Sequence, residues 1–336
     1  MRKKGGGRKL KEVEILGLLD VIEEIMDDHK AGCPINDQKW TYLTPKELSI
    51  LLSKRGIKVC PKVVKRLLKK MGIGRRKLSK KSEMGQSKDR NEQFEIINRY
   101  KKYYLSRSYA VLSIDTKKKE FLGPFYRPGT LYAEKEVKCY DHDYPSYATG
   151  KAIPYGIYDL GRNEGYIRIG QSVDTAEFSV SCLRSYWEKY GTKNYDKNKP
   201  ILILADGGGS NGSRNKLFKK KLQDWADEEG LKIRVCHYPP YCSKYNPIEH
   251  RLFPSITNAL KGVMLDSVDT MVNLIKKRTK LASSKLKVFV DKTEDVFQKG
   301  VKVFDNYLDY CEIKFDQILG KWNYRIFPNH SILDSY

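Results

Sequence analysis

An apolar run that breaks on a carboxylate limits this chain more than any other feature. Ile201-Leu202-Ile203-Leu204-Ala205 suits a buried strand and leads straight into Asp206 and the turn Gly207-Gly208-Gly209-Ser210-Asn211-Gly212. Ninety-one positions earlier, Val111-Leu112-Ser113-Ile114 runs into Asp115 in the same way. Forty-three positions after Asp206, Asn246-Pro247-Ile248-Glu249-His250 opens a helix with proline in its first turn. For any one Asp after a strand, a capping or turn role is the ordinary reading. Here two strand ends and one helix start each present an acid. A domain that gathers three carboxylates must protonate them, pair them or bind metal.

A chain of 336 residues has room for two domains, or for one with additions. Its formal net charge of +23 is unevenly spread, since residues 54–81 hold 13 Lys or Arg and no acid. A solvated face accounts for such a run, and so does a surface that contacts phosphates, because basic patches supply most non-specific nucleic-acid affinity. The seven scattered Cys fit reduced thiols. No apolar run approaches the ~18–20 residues of a membrane span. Met1-Arg2-Lys3-Lys4 lacks the apolar core of a secretory signal. These features point to a cytoplasmic, nucleoid-associated protein with no membrane partner.

Along the chain, 10–29 reads as one amphipathic helix with Ile15, Leu16, Leu19, Ile22, Ile25 and Met26 inward. Thr44-Pro45-Lys46-Glu47 is a capping box that starts a second helix, and Pro61 opens a third with Val63, Val64, Leu67, Leu68 and Met71 on its inner face. Lys62, Lys65, Arg66, Lys69 and Lys70 fall on the other side, with Arg75 and Arg76 just beyond. The pair at 44–71 resembles a helix-turn-helix whose second helix enters the major groove, against the plainer reading of two packed helices with lysines outward. Beyond the polar linker at 75–92 and a helix at 94–104, strands are expected at 109–114, 153–158, 166–169, 201–205 and 233–236. Helices are expected at 175–189, 215–229, 247–260 and 267–280.

Such alternation predicts an α/β fold, a mixed sheet flanked by helices that matches the element order of a ribonuclease H-like core, preceded by an all-helical helix-turn-helix region. That topology makes the first and fourth strands neighbours, which sets Asp115 beside Asp206 with Glu249 brought over them. Three acids of this kind suit two Mg²⁺ ions, with Mn²⁺ as a substitute, acting on a phosphodiester: one activates the attacking water or 3′-hydroxyl and the other holds the leaving oxygen. A dinucleotide site on the glycine turn fares poorly, because the next strand ends in Cys236-His237 where an acidic ribose ligand is expected. Cys236, His237, Cys242 and His250 fit no common zinc spacing, so a buried thiol and a hydrogen-bonded His are expected.

VLSIDTKKKE at 111–120, GKAIPYGIYDL at 150–160, ADGGGSNG at 205–212 and NPIEHRLF at 246–253 resemble the DDE transposases of bacterial insertion sequences, of the ISAzo type and distantly Tc/mariner-like. The resemblance runs from about residue 5 to 324. It implies a metal-dependent DNA transposase that cuts element ends and joins the freed 3′-hydroxyl to target DNA as a homo-oligomer, with Asp115, Asp206 and Glu249 as the acidic triad. Tyr241-Cys242-Ser243-Lys244-Tyr245 departs from the Gly-Thr-Ser-Lys-Trp of the group. Relatives carry a further helix-turn-helix ahead of the glycine-rich start, so a truncated copy is expected. The expected organisation is a DNA-binding region at 1–90, a linker helix at 91–108, a catalytic core at 109–262 and an extension at 263–336. The alternatives are a nuclease of the same fold without strand transfer, and a DNA-binding remnant without activity.

Overall fold

The computed structural model describes residues 9–29, 41–75, 88–130, 132–281 and 285–329. Two compact units divide the chain, 1–84 and 85–336. In the first, helices α1 (Lys11–Glu14), α2 (Leu18–Asp27), α3 (Pro45–Lys54) and α4 (Pro61–Lys70) surround a small core of Leu18, Ile22, Leu48, Leu52, Val64 and Leu67. Thr44 and Glu47 form the expected capping box. The single helix expected over 10–29 is broken, because Gly17 takes φ +75° and resets the helical phase. Leu18 is therefore the buried residue, and Leu16 is 98% exposed.

The second unit begins with α5 (Lys88–Ser106) and continues through β1 (Val111–Thr116), β2 (Glu120–Leu122), β3 (Gly150–Asp159) and β4 (Glu164–Gly170). Next come α6 (Ala176–Tyr186), α7 (Thr192–Asn194), β5 (Ile201–Ala205), α8 (Lys216–Glu229) and β6 (Ile233–His237). The remainder is α9 (Pro247–Arg251), α10 (Phe253–Ala259), α11 (Val268–Leu281), β7 (Lys287–Lys292), β8 (Ile313–Phe315) and β9 (Asn323–Ile326). The helix expected over 247–260 is two, since Pro254 has no N–H to give the carbonyl four residues back and starts a new helix.

The strands form one mixed sheet in the order β7-β4-β3-β1-β5-β6-β9-β8, with β2 beside β3. β3 runs antiparallel to both β1 and β4, whereas β1, β5 and β6 are mutually parallel. The central run β4-β3-β1-β5-β6, with only β3 reversed, is the strand order of a ribonuclease H-like core. Residues beyond 262 are integral to this sheet: β7 pairs with β4 at one edge, and β9 and β8 extend it past β6 at the other. No helix among the described residues is long and apolar enough to cross a membrane.

Alternation along the strands sorts the two faces. Leu112, Ile114, Tyr155, Ile203 and Val235 pack under α6 and α8. Val111, Leu202, Leu204 and Cys236 face α5, and Ala152, Tyr158 and Ile167 face α9, α10 and α11. Ser113 pairs with Leu204 across the parallel strands β1 and β5. Two residues further along each strand, on that same second face, stand Asp115 and Asp206.

Gly156 of β3 lies opposite Asp115. A Cβ there would stand 2.6 Å from Phe253 and 2.8 Å from Ile248, so the missing side chain is what lets α9 and α10 settle on the sheet. Gly156→Ala is expected to cost about 1–3 kcal/mol, read as a lower denaturant midpoint at unchanged slope. An unchanged midpoint would contradict this packing.

Candidate active site

Each acid reaches the site for a local reason. Asp115 is the next-to-last residue of β1, partly buried, and accepts the Thr116 amide at 2.7 Å. Asp206 directly follows β5, where the chain leaves the sheet. Glu249 lies in the first turn of α9, which rests on β1 and β3. Burial first, then the neighbouring Asp206 carboxylate and more weakly Glu249, push the Asp115 carboxyl up to about 8. Burial pushes Asp206 up to about 6, opposed by a hydrogen bond from Asn246 and aided by Glu249. Asp115 thus feels Asp206 and Glu249, and Asp206 feels Glu249.

They do not close on a common point: among the described residues, no three His, Cys, Asp or Glu side chains are grouped to hold one ion. The donor set nevertheless fits a hard divalent cation. All its atoms are carboxylate oxygens, and the ionised form of Asp115 is opposed by burial and by like charge, which a cation offsets.

Asn246 organises the centre, and the sequence had offered it only as a helix-start residue. Its side chain caps nothing in α9. The amide turns inward, fully buried, and its Nδ2 donates to Asp206 Oδ1 at 3.0 Å and to the Ile114 carbonyl at 3.1 Å. Ser113 Oγ donates to Asn246 Oδ1 at 2.5 Å and accepts the Ile248 amide at 3.0 Å. One asparagine thus joins β1, the end of β5 and the helix that carries Glu249.

Beneath Asp206, His237 is fully buried, with Nδ1 3.0 Å from the Asp206 carbonyl and Nε2 3.1 Å from Tyr324 Oη. Burial pushes its pKa down to about 4, so the ring is neutral, donates from Nδ1 and accepts the Tyr324 hydroxyl. Cys236 is buried beside it. The glycines after Asp206 do not share one role. Gly207 is needed because a Cβ would meet the Tyr238 carbonyl at 2.8 Å, and Gly209 takes φ +75°, whereas Gly208 faces open space. Sequence reasoning also missed Asp174, which accepts the Thr116 hydroxyl at 3.1 Å and adds to the field on Asp115. It is a lone acid in a loop, and no pattern marked it.

In the N-terminal unit, Lys62, Lys65, Arg66, Lys69, Lys70 and Arg75 are all exposed. Two of them are engaged: Arg66 makes a two-pronged pair with Glu12 at 2.8 and 2.5 Å, and Lys70 reaches the same carboxylate at 3.8 Å. Arg76 lies outside the described residues.

A family model described as Rhodopirellula transposase DDE domain, of the ISAZ013 type, matches residues 21–328. No curated protein matches the chain in sequence. Among solved structures, the chain is similar to the Mos1 transposase paired-end complex with left transposon end, at 15% identity and a TM-score of 0.48, over 85% of this chain and 76% of that one. It is similar to the Mos1 strand transfer complex at 17% identity and a TM-score of 0.46, over 85% and 75%. The Mos1 mariner paired-end complex with Mn is similar at 16% and 0.44, over 84% and 75%.

Asn246→Ala leaves the Ser113 hydroxyl and the Ile114 carbonyl without their partner, and is expected to cost about 1–3 kcal/mol of stability. A loss below a few tenths of that in chemical denaturation would contradict the hub. His237 adds a pH dependence. Its folded pKa of about 4 lies below the ordinary 6.5, so its contribution is complete above pH 6.5 and is lost as pH falls toward 4. The Tm difference between the wild type and His237→Gln should shrink over that window; a constant difference would contradict a buried neutral ring.

Proposed function

The chain belongs to the Rhodopirellula transposase DDE domain family, and on that premise we propose how its own carboxylates perform the work of a DDE-type DNA transposase. Asp115, Asp206 and Glu249 hold divalent metal, Mg²⁺ with Mn²⁺ able to replace it. A cation held there would neutralise phosphodiester charge and would make an attacking water or hydroxyl a better nucleophile. Asp115 and Asp206 carry the negative charge of the site on two adjacent strand ends, and Glu249 adds a third from the helix side. Asn246 holds one Asp206 oxygen, which leaves the other to turn toward a ligand. His237 fixes the Asp206 backbone without adding charge, because its ring stays neutral.

The reaction class is in-line substitution at phosphorus. A water oxygen forms the new P–O bond as the P–O3′ bond at the element end breaks and leaves a 3′-hydroxyl, and that hydroxyl then attacks a target phosphorus, whose own 3′-oxygen leaves as a hydroxyl. The pair of helices α3 and α4 is the DNA-contacting face, with Lys62, Lys65 and Lys69 on phosphates. Arg66 and Lys70 exchange Glu12 for DNA, and Arg75 and Arg76 extend the basic strip. The protein works as a homo-oligomer that brings element ends together.

The single observation that supports this reading best is the side-by-side pair Asp115 and Asp206, each opposed in its ionised form by burial and like charge. The test is cleavage of DNA carrying the flanking ends of the element in Mg²⁺, with strand transfer followed from a pre-cut end. Alanine at Asp115, Asp206 or Glu249 is expected to lower cleavage and joining at least about 1,000-fold, the scale on which lost charge stabilisation is felt in catalysis, while DNA binding survives. Near-normal turnover of Asp206→Ala would overturn the triad. Cleavage without joining would reduce the function to hydrolysis.

A further inference from the structure

At the opposite end of β5 from the carboxylates, a cavity of about 420 Å³ opens between α5, the start of β6 and the end of β9. Pro200 lines it and Asp206 lies six residues on, a strand length of about 20 Å, so the cavity is separate from the catalytic centre. Four cations border it, Arg99, Lys232, Arg234 and Arg325, and no carboxylate does. Asp316 stands behind them and takes Arg234 at 2.6 Å, with Arg325 at 3.9 Å. Arg99 and Lys232 have no acidic partner among the described residues and are exposed.

The remaining wall is aromatic. Tyr100 has the Arg234 guanidinium 3.9 Å from its ring centroid and Arg99 at 5.6 Å. Tyr103, 47% exposed, and Phe327 both line the cavity, and the Arg107 guanidinium stands 3.8 Å from the Tyr103 ring centroid on one face. Flat rings beside fixed guanidinium groups bind a ligand that is planar at one end and anionic at the other. Bases stack on aromatic side chains and on arginine, and phosphates are taken by the guanidinium fork.

We infer that this cavity is a nucleoside-phosphate site, with the base against Tyr103 and Phe327 and the phosphate held by Arg99, Lys232 and Arg325. A free nucleotide and a nucleotide within a DNA strand share that chemistry. The inference is independent of the triad, because none of its residues belongs to the catalytic centre.

The test is calorimetric titration of the full chain with dAMP, with inorganic phosphate and with a five-nucleotide single strand. Arg99→Glu/Arg325→Glu changes two exposed side chains and should fold normally, as checked by an unaltered melting curve. It is expected to weaken dAMP binding at least tenfold, Tyr103→Ala several-fold, and Asp206→Ala not at all. Oligonucleotide binding more than tenfold tighter than dAMP, and lost in the double variant, assigns the site to a DNA strand. Equal or tighter dAMP binding assigns it to a free nucleotide. Inorganic phosphate binding as well as dAMP would overturn the nucleoside part. No dAMP or oligonucleotide binding, or binding indifferent to the double variant, would overturn the site, and neither result would touch the cleavage assay that tests the triad.

Discussion

Two carboxylates at the ends of adjacent parallel strands repel one another, and the rest of the core is arranged around holding them there. Strand pairing brings them together: Ser113 sits beside Leu204, each two residues before one of the acids. Burial then raises the cost of ionising both, which is why Asp115 is pushed up to about 8 and Asp206 to about 6. A fold keeps such an arrangement only if something else supplies the stability it forgoes. Here that is the packing of α6 and α8 on one sheet face and of α9 to α11 on the other.

Neutral groups hold Asp206 and α9 in place. Asn246 and Ser113 link β1, β5 and α9 through a closed set of buried hydrogen bonds. Each partner is satisfied, which makes the network rigid and any single deletion costly. His237 supports Asp206 from below as a neutral ring. On the α5 side, Gln93 donates to the His237 carbonyl at 2.8 Å and trades amide bonds with Asn323 at 2.9 and 2.6 Å, so the helix before β1 fastens the floor of the site. The close approach at Gly156 completes the set by letting α9 come down on β3 opposite Asp115.

How much of this was legible in the chain depends on the range of the interaction. β5 has the expected bounds because a five-residue apolar run buried on both faces has few other uses. The capping box at Thr44 and Glu47 is local and equally plain. Gly17 was visible but its positive φ was not, and with it went the helical phase that put Leu16 in the core in place of Leu18. The sheet positions of the strands at 287–292, 313–315 and 323–326 were not legible. Their place depends on pairing with β4 and β6, far away in sequence. Asn246 was read as a helix start because its neighbours Pro247 and Glu249 look like one. Its inward turn depends on Ser113 and Asp206, which no local pattern reports. The positions of Asp115, Asp206 and Glu249 followed from strand-end and helix-start patterns together with the element order, and Asp174 followed from neither.

The central claim is that a divalent cation takes the place of the proton that burial and like charge hold on this carboxylate pair. The most direct measurement is calorimetric titration of Mg²⁺ into the full chain near pH 7, in two buffers of different ionisation enthalpy, for the wild type and for Asp115→Asn. Because Asp115 is pushed up to about 8, the account predicts that binding releases on the order of one proton from the wild type and almost none from the variant, which also binds more weakly. Magnesium binding that releases no proton, or that is indifferent to Asp115→Asn, would contradict it.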